Sequence, residues 1–201
     1  TVAVRIPKHK VARNLLKILK VPLAAPSANI ASKLSPTSAK DVVDEFGNKI
    51  KFILDGGQCK IGLESTIIDL TVKPTILRPG SISAEKIQKI LKKKITINNK
   101  PKKIKGPGQL KLHYSPGIPI IMNRKYPEKN QAFIGFGKKF KHGKNNFNLS
   151  KNGSLKEAAN NLYKIMRKIK KRNFKSIAVT QIPNIELGHA INDRLIKASN
   201  K

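Results

Sequence analysis

A polar segment at residues 92–105, rich in Lys and Asn, divides this chain into two stretches that each alternate short apolar runs with helical patterns. Such a segment is typical of a solvated linker, because it has too few apolar side chains to be buried. The alternation of strands and helices on either side favours an α/β fold. The pattern therefore predicts domains at 1–93 and 118–201, joined by a linker at 94–117.

The first stretch contains five apolar runs that predict strands, at 1–6, 21–25, 52–54, 65–70 and 75–77. A helix is predicted over 7–20, since its apolar residues fall on one face. Ser35 and Pro36 predict the N-cap and first position of a second helix that ends at Gly47. Ser83 predicts the cap of a third helix.

The second stretch predicts strands at 118–122, 131–136 and 176–182, with helices near 154–171 and 187–199. The segment 138–151 is rich in Lys, Asn and Gly, and it is predicted to be a mobile loop.

The composition excludes two classes of protein. A single cysteine, Cys59, rules out an internal disulfide and favours a reducing cytoplasm. No window of 18 apolar residues occurs, so no membrane span is expected.

The formal charge of +31 is the one compositional extreme. It would suit nucleic-acid binding, but it is spread along the chain: residues 1–100 carry 19 basic and 7 acidic residues, and residues 101–201 carry 23 and 4. Only 7 of the 42 basic residues are arginine, the residue best shaped to fork a phosphate. Compositional drift is therefore favoured over a dedicated patch, although the positive field would still attract anions such as ATP.

Several polar residues stand at predicted strand ends or turns, where open α/β sheets bind ligands. Arg5 could pair bidentately with a carboxylate or be an exposed strand residue. The turn at 25–29, with Ser27, could cradle a phosphate or be an ordinary turn. Ser35, at a predicted helix N-terminus, could meet an anion. Arg78, before Pro79-Gly80, could reach a phosphate or ribose.

Five motifs occur in one order along the chain: TVAVRIP at 1–7, APSAN at 25–29, DGG with GLESTIID at 55–69, LRPG at 77–80 and LHYSP at 112–116. In this order they resemble the threonylcarbamoyl-AMP synthase family in its two-domain form, from Thr1 to about Asn200. The resemblance implies the C-terminal part of a YrdC-like twisted open sheet, a linker over the active site, and a small Rossmann-like domain. It also implies an N-terminally truncated fragment, inactive alone, because the family's Lys-x-Arg element would lie upstream.

The activity implied by the resemblance is the joining of L-threonine, bicarbonate or CO2, and ATP into threonylcarbamoyl-AMP and pyrophosphate, with Mg²⁺ expected on the nucleotide. The product would pass to a separate tRNA-modifying complex in the cytoplasm, and direct tRNA binding is left open.

The resemblance also assigns residues. ATP contacts are implied at Thr1, Ser27, Ser35, Arg78 and Tyr114. Threonine contacts are implied at Arg5, Ala25 and Ser65, and Asn29 and Thr66 are further candidates. No covalent nucleophile is expected.

Two other classes of function stay open from the sequence. One is a non-enzymatic RNA-binding module on the same fold, supported by the charge. The other is a regulatory domain, since residues 118–201 contain no evident catalytic set. Arg5, Ser27, Ser65 and Arg78 discriminate between them, because the enzyme hypothesis requires these residues to line one pocket.

Overall fold

The computed structural model describes residues 1–98, 104, 106–140 and 143–200. Within these residues the chain forms two small sheets and five α-helices, a mixed α/β architecture. None of the described helices is long and apolar enough to cross a bilayer.

The first half of the chain contains a three-stranded sheet with the order β1-β2-β3. Strands β1 and β2 are antiparallel, and β2 and β3 are parallel. The elements of this half are α1 (Lys10–Leu19), α2 (Ala39–Phe46), β1 (Ile67–Asp69), β2 (Thr75–Arg78), α3 (Ala84–Leu91) and β3 (Thr96–Ile97).

The second half contains a four-stranded parallel sheet with the order β4-β7-β5-β6. Its central register pairs Ile177 of β7 with Ile120 and Ala132 on either side. The elements are β4 (Ile120–Ile121), β5 (Gln131–Gly135), β6 (Asn146–Asn148), α4 (Leu155–Lys170), β7 (Ser176–Val179) and α5 (Leu187–Ser199).

The main hydrophobic core lies between this second sheet and helices α4 and α5. It includes Ile134, Leu162, Ile177 and Leu195, all with essentially no exposed surface. Burying such side chains contributes about 1.5–3 kcal/mol each. Leu34 from the first half and Tyr114 belong to the same cluster. The two halves therefore share part of one core.

The serine caps explain where three helices begin. Ser83 Oγ accepts a hydrogen bond from Lys86 N, so the predicted cap of α3 is confirmed. Ser154 Oγ accepts from Glu157 N at the start of α4. Each bond satisfies a backbone N–H that has no partner within the helix.

The predicted start of α2 is wrong. Ser38 is its N-cap, and Ser38 Oγ accepts from Asp41 N at 3.2 Å. The Asp41 carboxylate accepts from the backbone and hydroxyl of Thr37, so residues just before the helix form a turn. Ser35 is thereby free for a different contact. Helix α1 also begins later than predicted, at Lys10.

The predicted strands at 1–6, 21–25 and 52–54 are not formed. Val2 is 85% exposed and Phe52 is 90% exposed. A strand is stabilised by the hydrogen bonds of a neighbouring strand, and none of the described residues pairs with these segments. An apolar run was therefore not sufficient to predict a strand in these three segments.

Two predicted irregular regions contain short strands. β3 lies within the segment 92–105, and β6 lies within the predicted loop 138–151. β6 forms because its backbone pairs with β5, with Ile134 opposite Phe147. The linker and loop predictions at 99–103, 105 and 141–142 lie outside the described residues.

Candidate functional site

The carboxylate of Glu64, just before β1, is the centre of a polar cluster. It accepts hydrogen bonds from Ser35 Oγ at 2.5 Å, Tyr163 OH at 3.1 Å and Arg194 Nε at 2.8 Å. These donors come from the segment before α2, from α4 and from α5. A largely buried carboxylate requires such partners, because burial without them would be costly. Glu64 therefore joins the two halves of the chain.

The charges in this cluster stabilise the ionised form of Glu64. Burial alone would raise the pKa of its carboxyl, but the Arg194 guanidinium and the hydrogen bonds from Ser35 and Arg194 outweigh burial and lower that pKa. The Arg194 side chain has no exposed surface, and its Nη1 donates to Asp193 at 2.6 Å. Asp193 also binds Lys197 Nζ at 2.7 Å.

Arg78 orients the loop that contains Ser65. Its Nε and Nη2 donate to the Ser65 carbonyl at 3.2 Å and 2.9 Å, and Nη2 lies 3.4 Å from Ser65 Oγ. Arg78 is buried, at the end of β2. The Ser65 hydroxyl is therefore presented next to a guanidinium, which suits an anionic or carbonyl group of a ligand.

Tyr114 lies over the same cluster. Its ring stacks on Tyr163 with centroids 6.1 Å apart, and the Arg194 guanidinium lies 4.8 Å from the ring centre. Burial raises the pKa of the Tyr114 hydroxyl, so it stays protonated. This hydroxyl is buried and has no hydrogen-bond partner among the described residues. Its proton therefore has no acceptor in the described part of the chain.

Gly108 allows Tyr114 to approach Arg78. A Cβ at Gly108 would collide with the Tyr114 hydroxyl and lie 2.9 Å from Arg78 Cδ. The neighbouring His113 is half-buried, and burial, together with the cations around it, lowers the pKa of its imidazole. His113 is therefore neutral near pH 7 and adds no charge to the cluster.

The structure brings four of the predicted site residues together. Ser35 binds the Glu64 carboxylate directly, and Tyr114 contacts Arg194, which binds the same carboxylate. Ser65 follows Glu64 in the chain, and Arg78 binds its carbonyl oxygen. Thr66 instead exchanges hydrogen bonds with Ile82. Asn29 Nδ2 donates to the carbonyls of Ile30 and Lys33, but its Oδ1 is buried and has no partner among the described residues.

Four predicted residues make no hydrogen bond or ion pair with the cluster in the described part of the chain. Thr1, Arg5, Ala25 and Ser27 are exposed. Within residues 1–98, 104, 106–140 and 143–200, no hydrogen bond or ion pair connects Arg5 or Ser27 to Ser65 or Arg78. The segments containing these four residues are also those whose predicted strands are not formed.

Sequence reasoning missed Tyr163 and Arg194 and gave Glu64 no role. A signal was present: Arg194 falls in the apolar stripe of α5 with Ile191, Leu195 and Ala198, at helical spacings of three and four. A charged residue on a buried helix face needs a buried partner of opposite charge. The pattern did not identify that partner.

The arrangement is suited to binding rather than to covalent catalysis. Three cationic side chains, Arg78, Arg194 and Lys197, outnumber the carboxylates of Glu64 and Asp193, which favours an anionic ligand. Ser35 donates to an ionised carboxylate. Cys59 is exposed as a residue, but partial desolvation of its thiol and the charge of Asp41 raise the pKa of that thiol. Neither is an activated nucleophile. No cluster of three or more metal-binding side chains occurs in the part of the chain that the structure describes.

Two family models match this chain. The model described as "Telomere recombination" matches residues 1–80. The model described as "Threonylcarbamoyl-AMP synthase, C-terminal domain" matches residues 82–200. Together they span both halves of the fold.

Individual relatives agree with these matches. A threonylcarbamoyl-AMP synthase of Pyrococcus abyssi is 36% identical over 217 residues, which cover 99% of this chain and 64% of the relative. A threonylcarbamoyl-AMP synthase of Bacillus subtilis is 30% identical over 224 residues, which cover 99% of this chain and 63% of the relative. The chain thus spans just under two thirds of the length of these relatives.

A solved structure has the same fold. The crystal structure of P. abyssi Sua5 complexed with L-threonine superposes with a TM-score of 0.87 at 35% identity, covering 98% of this chain and 64% of that one. A variant of P. abyssi Sua5, with a His and the adjacent Tyr replaced by Ala, gives a TM-score of 0.83 at 33% identity, covering 98% of this chain and 62% of that one.

Proposed function

We propose that this chain, which belongs to the threonylcarbamoyl-AMP synthase family, supplies threonine- and nucleotide-binding residues of an enzyme that makes threonylcarbamoyl-AMP. The reaction joins L-threonine, bicarbonate or CO2, and ATP, and it releases pyrophosphate. The observation that carries the proposal is the meeting of Ser35, Ser65, Arg78 and Tyr114 around Glu64 in a chain with that family membership.

Ser65 and Arg78 are proposed to bind the two reacting molecules side by side. Ser65 contacts threonine, and Arg78 contacts a phosphate or the ribose of ATP. Their hydrogen bonds support this assignment, because the guanidinium fixes the loop that presents the serine hydroxyl. The presence of L-threonine in the P. abyssi crystal structure supports a threonine site in this fold.

Ser35 and Tyr114 are proposed as further nucleotide contacts. The buried Tyr114 hydroxyl has a proton to donate and no acceptor among the described residues, which supports this role. Tyr114 would also exclude water from the site, and this matters because the mixed anhydride of the product hydrolyses. Asn29 and Thr66 remain lesser candidates.

Arg5 and Ala25 are proposed to complete the threonine site, and Thr1 and Ser27 the ATP site. The support for these four is the family resemblance of their motifs. Arg5 would fork the threonine carboxylate, since its planar guanidinium can donate two parallel hydrogen bonds.

Catalysis is proposed to rest on positioning and charge neutralisation. The threonine amine becomes an N-carboxylate, which attacks the α-phosphorus as pyrophosphate leaves, so the protein needs no covalent nucleophile. Mg²⁺ would arrive bound to the phosphates of ATP. Such Mg²⁺ keeps several waters and needs few protein ligands, so no clustered carboxylates are required.

The product is proposed to pass to a tRNA-modifying complex. A cytoplasmic location, favoured by the single cysteine, belongs to the same proposal, as does a Rossmann-like classification of the parallel sheet in residues 118–201. RNA binding as the main function is less well supported, because four of the seven arginines, including Arg167 and Arg172, are engaged within the fold.

The experiment is an assay of pyrophosphate release by the natural full-length protein, with each substrate omitted in turn. We expect release only when threonine, bicarbonate and ATP are all present. Arg5→Ala should weaken threonine binding by about 2–5 kcal/mol, at least about 30-fold. Arg13→Ala is the matched control, because Arg13 is another exposed arginine near the same end of the chain. Equal threonine affinity in both variants would contradict the assignment of Arg5.

A further inference from the structure

Helix α4 holds the segment that leads into the proposed threonine contact. Asn160 Nδ2 donates to the carbonyls of Cys59 at 2.8 Å and Lys60 at 2.9 Å. Gly62 lies directly against the helix, because a Cβ there would be 2.8 Å from the Ala159 carbonyl oxygen. The backbone of residues 59–62 therefore rests on an element about 100 positions away in the chain.

Helix α5 holds the next part of the same segment. Arg194 Nε binds Glu64, and the guanidinium is itself fixed by Asp193 and by the ring of Tyr114. Tyr163 of α4 donates to the same carboxylate. A carboxylate held by three donors from three directions has a single orientation, so its backbone does too.

Ser65, the next residue, is held by the first half of the fold. Arg78 of β2 binds its carbonyl oxygen through two nitrogens. The segment 59–66 is thus clamped between the first half of the fold and helices α4 and α5. Its beginning is held by α4, through Asn160, and its end is held by β2, through Arg78.

We propose that α4 and α5 position the segment 59–66 for threonine binding, with Arg194 as a positioning residue that acts through Glu64. The effect on threonine binding rests on the proposed function, whereas the anchoring of residues 59–66 by α4 and α5 does not. It assigns a role to helices α4 and α5, which supply no substrate contact in the proposal above. Arg194 touches no substrate.

The test compares Arg194→Met, Tyr163→Phe and Glu64→Gln with the unmodified full-length protein. The matched control is Lys171→Met, which removes another contact between the halves, the exposed pair with Asp44. Two measurements are made: hydrogen exchange of the amides of residues 62–66 without substrate, and the threonine KM and kcat from pyrophosphate release.

We expect Arg194→Met to speed exchange at residues 62–66 by at least about tenfold and to raise the threonine KM by a similar factor. Protection in β5 and β7 should be retained. Tyr163→Phe, which removes one hydroxyl, should produce a smaller change of the same kind even if Arg194→Met fails to fold. The double variant Glu64→Gln/Arg194→Met should be no worse than Arg194→Met alone, because both act through one contact. Lys171→Met should change neither measurement by more than about twofold.

Three results would overturn the inference. The first is unchanged exchange at 62–66 in folded Tyr163→Phe and Arg194→Met. The second is faster exchange in β5 and β7 as well, and the third is an unchanged threonine KM despite faster exchange at 62–66. The second and third would show that the cluster contributes to stability alone. Absence of turnover in the unmodified protein would refute the proposed function instead, and the exchange data would still test the clamp.

Discussion

Replacing Gly62 with Ala should destabilise the fold more than the same replacement at Gly57. Both glycines have a left-handed backbone, with φ of +80° at Gly62 and +79° at Gly57. At Gly57 a Cβ would meet nothing within 4 Å. At Gly62 it would lie 2.8–2.9 Å from three backbone atoms of Ala159 and Asn160 in α4. Backbone atoms within a helix cannot rotate away, so the loop or the helix must shift.

The magnitude follows from separating the two costs. An L-residue in the left-handed region costs about 1–2 kcal/mol, and both variants incur this cost. Overpacking a close contact costs a further 1–3 kcal/mol or so, and only Gly62→Ala incurs it. The difference between the two variants is therefore expected to be about 1–3 kcal/mol and to report the packing between the two halves alone.

The assay is urea unfolding of the 201-residue chain, followed by circular dichroism and by tyrosine fluorescence, since the chain has three tyrosines and no tryptophan. Two of those tyrosines, Tyr114 and Tyr163, lie where the halves meet. Gly62→Ala should lower the free energy of unfolding more than Gly57→Ala does, and the difference should be largest when unfolding is followed by tyrosine fluorescence. If both variants lose the same free energy within about 0.5 kcal/mol, the contact between residue 62 and α4 is not the constraint described here.

Two further outcomes are expected from the Glu64 cluster. Because the folded-state pKa of Glu64 is lowered, its contribution to stability is present above the unfolded pKa of 4.5 and is lost as pH falls through the lower folded value. Unfolding free energies measured across this acidic range should fall more steeply for the unmodified chain than for Glu64→Gln, and parallel curves would contradict this. Tyr163→Phe should cost about 1.5–3 kcal/mol by removing a donor to a buried carboxylate, measured by urea unfolding. Tyr126→Phe, at a tyrosine that is 78% exposed, is its control and should change stability by less than about 0.5 kcal/mol.

The elements that sequence predicted well are those whose determinants are local. Helices α3 and α4 begin at serine caps, and α3, α4 and α5 each have an apolar face at helical spacing. The strands at residues 1–6 and 52–54 were predicted from apolar runs, which are compatible with a strand but do not show that a neighbouring strand is present. β6 was missed for the opposite reason, because pairing with β5 makes a strand out of a polar segment.

The residues of the candidate site that could be predicted from sequence are also those with local signals. Ser65, Arg78 and Tyr114 were predicted because they lie in motifs with a recognisable order, and Ser35 because it precedes Pro36 at a predicted helix start. Arg194 lies 130 positions from Glu64, and a single sequence carries no record of such a pairing. Even for Ser35 the physical reason was wrong, since it does not cap a helix but donates to Glu64.

The shared ion pair of Glu64 and Arg194 limits how this architecture can be recombined. Grafting the second half of one relative onto the first half of another would conserve each local fold. Where only one member of the pair was inherited, however, it would leave an unpaired buried charge between the two halves. Breaking a buried pair in this way typically costs about 3–5 kcal/mol, whereas replacing both members by apolar residues of similar volume is often neutral. The two positions should therefore change together among homologues. A stable chimera should likewise have both members of the pair or neither.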